Sequence, residues 1–254
     1  MTVWAAAGLA CGLAAVGYLA KWLTGDGAVA AGAIGTAVFA GAGVTGAILL
    51  ALFFVSGSVL SAVNATRAAL PAGARRNARQ VLANGSWAAV GALLVRAGSP
   101  QGWAVLVAGL AAAQADTWAT EIGRHAGAPP RLITTWRPVP AGTSGGVTTL
   151  GTLAGLTGAL ALGGLAWIAG TPERAAIAGT GGGVIGMLAD SVLGAAWQGR
   201  FRCEGCGEIT EQRVHRCGGR GVLLQGWPWL DNDVVNFLAC AAGAGAAVLA
   251  ASWG

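Results

Sequence analysis

The sequence predicts an all-α, polytopic membrane protein, and three observations carry that prediction. Of 254 residues, 55% are hydrophobic and only 10% charged, whereas a soluble domain carries roughly 25% charged residues. Apolar stretches of about 17 to 25 residues, the length needed to cross roughly 30 Å of hydrocarbon, recur along the whole chain. The 44 glycines follow no Gly-X-Y period and proline numbers only 8, which excludes collagen and proline-rich disorder. Residues 1–254 therefore read as a single integral membrane domain of about seven to eight helices.

Breaks between apolar runs give eight candidate spans, near residues 3–20, 27–41, 43–63, 80–97, 102–121, 146–169, 175–198 and 234–252. The first has no basic leading region and is followed by Lys21, so it reads as a retained helix rather than a cleaved signal. Only Gly41, Ala42 and Gly43 separate the second from the third. A tight hairpin and one broken helix fit that spacing equally well. In the seventh, Gly179, Gly182, Gly183 and Gly186 suit close backbone packing, because lipid offers no hydrophobic drive between helices.

Sorting the 15 lysines and arginines by loop puts all but Arg96 and Arg174 on one side. The positive-inside rule then makes the long polar loops cytoplasmic and both termini external. The net charge of +5 belongs to that face, where it sets topology and attracts anionic lipid or phosphorylated ligands. Nucleic acid is not an expected partner, since the bases lie against the bilayer without interleaved aromatics.

Carboxylates at membrane depth are costly and face a cavity or a partner. Asp116 and Glu121 lie in Ala-Asp-Thr-Trp-Ala-Thr-Glu-Ile-Gly (115–123), where Asp116 with Thr120 and Thr117 with Glu121 form adjoining oxygen-bearing faces. Asp190 follows the glycine stripe, so another helix or a ligand can approach its carboxylate closely; a helix-packing hydrogen bond is its structural alternative. Another acidic group, Asp231-Asn232-Asp233 with Asn236, opens the last span. Capping by Asp231 or Asn232 would explain one of them. Two acids beside two amides also suit Mg²⁺, which takes oxygen ligands from one or two carboxylates plus substrate phosphates.

The segment 131–149 contains Arg131, Arg137, Pro138, Pro140 and then Gly142-Thr143-Ser144-Gly145-Gly146. A glycine turn before a helix can present backbone N–H groups and hydroxyls to an anion, with the arginines neutralising it. It is not a Walker loop, and a plain connector would use the same residues. Before the fourth span, topology explains Arg75, Arg76 and Arg79 but not Gln80, Asn84 and Ser86 entering the membrane, where unpaired amides seek a partner or a polar ligand.

Cys203, Cys206, His215 and Cys217 form Cys-x2-Cys-x8-His-x-Cys in the polar loop 200–231. Three thiolates and one imidazole make a closed tetrahedral Zn²⁺ site, a structural knuckle, and a reducing compartment disfavours a disulfide.

Five blocks, Arg76–Gly85, Ala115–Gly123, Gly142–Thr148, Ala189–Ala195 and Trp229–Asn236, together resemble the integral membrane family that contains phytyl-phosphate kinase and transmembrane protein nineteen. They come in that family's order across roughly residues 50–240, with Ser144 standing where Asn is expected. The resemblance implies a kinase that uses a nucleoside triphosphate to convert a prenyl monophosphate, drawn from membrane lipid, to the diphosphate. Joined to the residue reading, it assigns Asp116 and Asp190 to Mg²⁺, Asp233 as a further candidate and Glu121 as ligand or base. Arg79, Asn84, Arg131, Arg137, residues 142–146, Asn232 and Asn236 fall to phosphate or substrate. A transporter or channel for a small ion or phosphorylated solute is the competing reading, because it too needs glycine-rich helices and intramembrane acids.

Overall fold

A computed structural model describes residues 2–67 and 75–253, without the side chains of residues 66 and 67; the side chain of Arg67, one of the bases assigned to the polar side, thus lies outside the described residues. The helices are α1 (Val3–Leu19), α2 (Gly25–Arg67), α3 (Ala78–Arg96), α4 (Gly102–Gly123), α5 (Thr149–Ile168), α6 (Glu173–Ala196) and α7 (Asn232–Ser252). Between α4 and α5 a two-stranded clip pairs β1 (Arg131–Leu132) with β2 (Gly146–Val147). Between α6 and α7 a three-stranded sheet of order β4-β3-β5 uses β3 (Arg200–Cys203), β4 (Ile209–Thr210) and β5 (Gly221–Gln225).

Helix starts follow local chemistry. Asn77 and Gln80 form a reciprocal capping box at α3, Thr148 accepts from the Gly151 N–H at α5, and Asp231 accepts from the Val234 N–H at α7. The box explains Gln80 without a ligand. Asn84 donates to the Gln80 carbonyl and Ser86 to the Leu82 carbonyl, so both are also partly satisfied on their own helix.

α2 resolves the doubt over Gly41–Gly43 in favour of a hairpin. Gly43 has φ 61° and ψ −151°, a conformation open essentially to glycine alone. Beyond it the chain turns back: a Cβ on Gly46 would lie 3.0 Å from the Val38 side chain, and Gly27 and Gly57 both border Arg76. In a straight helix residues 27 and 57 would stand about 45 Å apart. The arms 25–42 and 44–67 are therefore antiparallel, and the described residues form eight helical segments.

By length and composition α2, α5, α6 and α7 suffice to cross a membrane. Of the others, α1 has only 17 residues, α3 is polar at its start, and α4 sits at the centre, buried at every position from Ala104 to Ala115. The polar segments gather at one end of the bundle, while Gly43, Arg96 and Arg174 lie at the other, where Arg96 donates to the Ala40 carbonyl. The arrangement matches the alternation expected from the charges.

Small residues set the helix spacing around α4. Gly179 meets Val107, Gly183 meets Ala111 and Gly186 meets Ala112, while Gly182 and Gly243 press backbone to backbone between α6 and α7. Where both faces are so small, backbones approach and dispersion contacts accumulate. On its other side α4 packs antiparallel to α5, with Gly151 at the Ala119 carbonyl and Gly155 at the Ala115 carbonyl.

Candidate functional site

The α4–α6 packing positions the acids. Both helices run toward the polar end, and extending the Gly186–Ala112 contact by one helical turn brings Asp190 beside Asp116. Both carboxylates line a cavity of about 790 Å³ that opens beneath the polar loops. No lysine or arginine among the described residues lies within 4.0 Å of either one. Asp190 Oδ2 is buried and has no hydrogen-bond partner among the described residues. Buried polar atoms are normally satisfied, so an orphaned carboxylate oxygen in the same cavity as a second carboxylate is a place that could hold a cation.

The glycine loop roofs the same cavity. Leu132 N–H bonds to the Arg137 carbonyl and Ile133 N–H to the Gly145 carbonyl, closing the clip. Gly142 and Gly145 then turn with φ of 84° and 75°. Gly145 rests directly on α6: an added Cβ would lie 2.5 Å from the Ser191 carbonyl oxygen and would also strike Ala195. Only glycine permits both that backbone and that approach. Residues 142–146 and Asn232 therefore share the cavity with the two acids.

Two charged lining residues escaped sequence reasoning. Arg124 follows Asp116 and Thr120 at successive helical steps of four, so its place on that face was readable from spacing alone. Glu211 reaches the cavity from the loop after α6, accepting from the Ser144 N–H at 3.1 Å and from Gln198 Nε2 at 2.8 Å. A carboxylate of the chain thus sits at one of the glycine-loop N–H groups expected to meet an anion. No sequence periodicity reports that contact, because it depends on how the loop folds back.

Other expected site residues lie elsewhere. Glu121 is held on the α2 side of α4 by Ser61 Oγ at 2.6 Å and Asn64 Nδ2 at 2.7 Å, with Arg124 at 3.6 Å. Arg79 pairs with Asp231 at 2.7 Å and Asp233 at 3.6 Å. That ion cluster joins α3 to the α7 cap. Arg131 donates to the Trp136 carbonyl; neither it nor Arg137, Asp233 or Asn236 lines the acid cavity. Asn84 borders a different cavity, between α1, α2 and α3.

Cys203, Cys206, His215 and Cys217 converge, each offering a ligand atom within 4.8 Å of the others. Cys203 Sγ stands 3.4 Å from Cys217 Sγ, and His215 Nδ1 3.3 Å from Cys206 Sγ and 3.2 Å from Cys217 Sγ. Tetrahedral coordination with metal–sulfur bonds of about 2.3 Å gives edges near these distances. His215 Nε2 faces Glu208 Oε2 at 3.2 Å, which turns Nδ1 inward, as an outer carboxylate does for a ligating imidazole. Desolvation raises the Cys203 thiol, but hydrogen bonds from the Cys206 and Gly205 backbone and from the Cys217 and Cys206 side chains outweigh it and bring it down to about 7. The cluster can hold a metal ion. It lies outside the acid cavity, to which Glu211 ties its loop.

The chain matches the family described as "Integral membrane protein DUF92" over residues 8–244. It is 33% identical over 192 residues to an uncharacterized membrane protein, MJ0933, of Methanocaldococcus jannaschii, covering 74% of this chain and 80% of that protein. It is 32% identical over 227 residues to Protein PGR of Arabidopsis thaliana, covering 76% of each. Protein VTE6, chloroplastic, from the same plant is 29% identical over 244 residues, covering 91% of this chain and 66% of the relative. No solved structure matches. The family match and these relatives bear out the membrane family that the five sequence blocks suggested: the chain belongs to the DUF92 family of integral membrane proteins.

Proposed function

We propose that this protein is a membrane phosphotransferase that converts a prenyl monophosphate to the diphosphate at the expense of a nucleoside triphosphate. The observation that carries the reading is the orphaned Asp190 carboxylate beside Asp116 in a cavity roofed by a glycine turn. The resemblance to the family containing phytyl-phosphate kinase supplies the substrate class.

Asp116 and Asp190 hold Mg²⁺ in this reading, and the bound ion supplies charge neutralisation for the phosphates. Arg124 and the Gly142 and Gly145 N–H groups orient the triphosphate, those of Thr143, Ser144 and Gly146 being taken by the Pro140 carbonyl, Glu211 and the Thr143 carbonyl, and Asn232 donates from the start of α7. An oxygen of the prenyl phosphate attacks the terminal phosphorus; the bond to the nucleoside diphosphate breaks, and its electron pair leaves with that product. No protein nucleophile is needed, so positioning and charge neutralisation supply the catalysis. The cysteine cluster binds one structural Zn²⁺, filling four positions and leaving none for substrate. The loops face the cytoplasm, where nucleotide is available, by the charge distribution.

A transporter would place its acids near the bilayer midplane. Asp116 lies seven residues before the end of α4 and Asp190 six before the end of α6, about 10 Å from the polar end. That depth favours chemistry at one face. Purified protein is assayed with Mg²⁺, a panel of prenyl monophosphates and each common nucleoside triphosphate. Diphosphate formation with one nucleotide class supports the proposal; none with any pair, alongside solute flux in liposomes, sinks it.

A further inference from the structure

The segment that joins α6 to α7 carries an apolar face that no described residue covers. Trp197 directly follows α6, and Trp229 stands two residues before Asp231, the cap of α7. Trp227 stacks on both, its ring centroid 6.4 Å from that of Trp197 and 5.4 Å from that of Trp229. All three rings are exposed, and so are Val222, Leu223 and Leu224 of β5. That strand is an edge in the order β4-β3-β5. In water an apolar edge strand is a liability, which proteins guard with charge or cover.

The root of the segment holds this face at the height of the helix ends. Trp227 N–H bonds to the Trp197 carbonyl at 2.9 Å, and Gly199 N–H to the Leu230 carbonyl at 3.0 Å. Because α6 and α7 are both long and apolar enough to span a bilayer, exposed rings at their polar ends stand at the headgroup level, where tryptophan concentrates. The charge beside them has one sign. Arg202 lies opposite Val222 in the antiparallel register, and alternation puts Leu224 on that same face while Phe201 turns inward and is buried. Arg213 donates to the Pro228 carbonyl from Nε at 3.0 Å and Nη2 at 2.6 Å, next to Trp227 and Trp229 in the chain. Among the described residues no carboxylate comes within 4.0 Å of Arg200, Arg202, Arg213 or Arg220. Glu208 is taken by His215 and Arg216, and Glu211 turns to the acid cavity.

We propose that this face docks on the surface of the bilayer that the protein spans, with the rings and the β5 side chains entering the interface and the arginines meeting anionic headgroups. A surface that mixes tryptophan, leucine and arginine is held there by apolar burial together with attraction to anionic lipid. A soluble acidic protein would have to enter the headgroup layer to reach rings at this height. The segment therefore lies along the membrane rather than projecting from it. Docking needs neither the acid cavity nor phosphoryl transfer.

Hydrogen exchange of residues 221–229 in the full chain tests the proposal, in nanodiscs of phosphatidylcholine alone and of phosphatidylcholine mixed with phosphatidylglycerol. At low salt the anionic lipid should slow exchange roughly tenfold or more, and high salt should remove the difference. Arg202→Gln with Arg220→Gln should remove it too, whereas Val222→Asp with Leu224→Asp should speed exchange in both lipids, thermal midpoints near that of the wild type showing the bundle intact. Equal exchange of the wild type in the two lipids overturns the proposal, as does a difference that survives in the arginine variant or unchanged exchange in the aspartate variant. Equal protection by soluble polyglutamate in neutral nanodiscs would also overturn it, by marking the face as one for an acidic protein. Should the aspartate variant not fold, the arginine variant decides alone.

Discussion

Two glycines only three residues apart in the roof of the acid cavity make a controlled experiment. Gly142 and Gly145 both have positive φ, 84° and 75°, so alanine at either incurs about 1–2 kcal/mol of left-handed strain. Their surroundings differ. Nothing lies within 4 Å of a Cβ on Gly142, whereas one on Gly145 meets the Ser191 carbonyl oxygen at 2.5 Å and also Ala195. Ordinary contact needs about 3.5 Å, so the loop must lift off α6 by about 1 Å. Overpacking of that kind costs a further 1–3 kcal/mol or so, and a 1 Å misplacement near the chemistry costs about 10²-fold in rate. Gly145→Ala should therefore lower kcat for diphosphate formation about a hundredfold, against less than about tenfold for Gly142→Ala. Steady-state kinetics on both variants, each with its thermal midpoint, measures this; equal losses would refute the claim that contact with α6 positions the roof.

Cys203→Ser with Cys206→Ser should abolish zinc, read by elemental analysis as about one ion per wild-type chain, and should expose residues 200–220 to protease while the helices stay intact. In metal-free protein the Cys203 thiol is lowered from its ordinary 9.0 to about 7. Its thiolate therefore supports the loop fully above pH 9 and ceases to as pH falls through about 7, which hydrogen exchange of the loop would follow. Glu211→Ala removes two hydrogen bonds to a charged group, at Ser144 and Gln198, each worth about 1.5–3 kcal/mol; proteolysis between 204 and 226 should quicken with zinc content unchanged. Gly183→Leu should drive α6 from Ala111 and lower the thermal midpoint by many degrees, while Gly181→Ala, with nothing within 4 Å, should hold or raise it.

The fold was legible where one physical constraint dominates. Hydrocarbon thickness delimits the spans, and the distribution of Arg and Lys orders them. Gly41–Gly43 left the second span open because a glycine break permits a kink or a reversal, and it takes the packing of Gly46 on Val38 and of Gly27 and Gly57 on Arg76 to decide between them. Asp116, Asp190 and the glycine loop were readable because membrane burial makes acids conspicuous. The arginines were not: Arg79 and Arg131 have the charge a phosphate wants, but Asp231 and the Trp136 carbonyl take them. Gln80, expected to seek a partner or a polar ligand, finds its partner as a cap. Glu211 and Arg76 make their contacts only after distant segments pack, so no local pattern marks them.

Diphosphate formation by wild type, Asp116→Asn and Asp190→Asn, followed side by side by ³¹P NMR with Mg²⁺ and nucleoside triphosphate, bears most directly on the central claim. Replacing either carboxylate keeps the side chain's shape and removes the charge that would hold the cation. The account predicts that each substitution lowers turnover at least about a thousandfold, the equivalent of roughly 4 kcal/mol, with zinc content and thermal midpoint near those of the wild type. Near-normal diphosphate formation by both variants would contradict it.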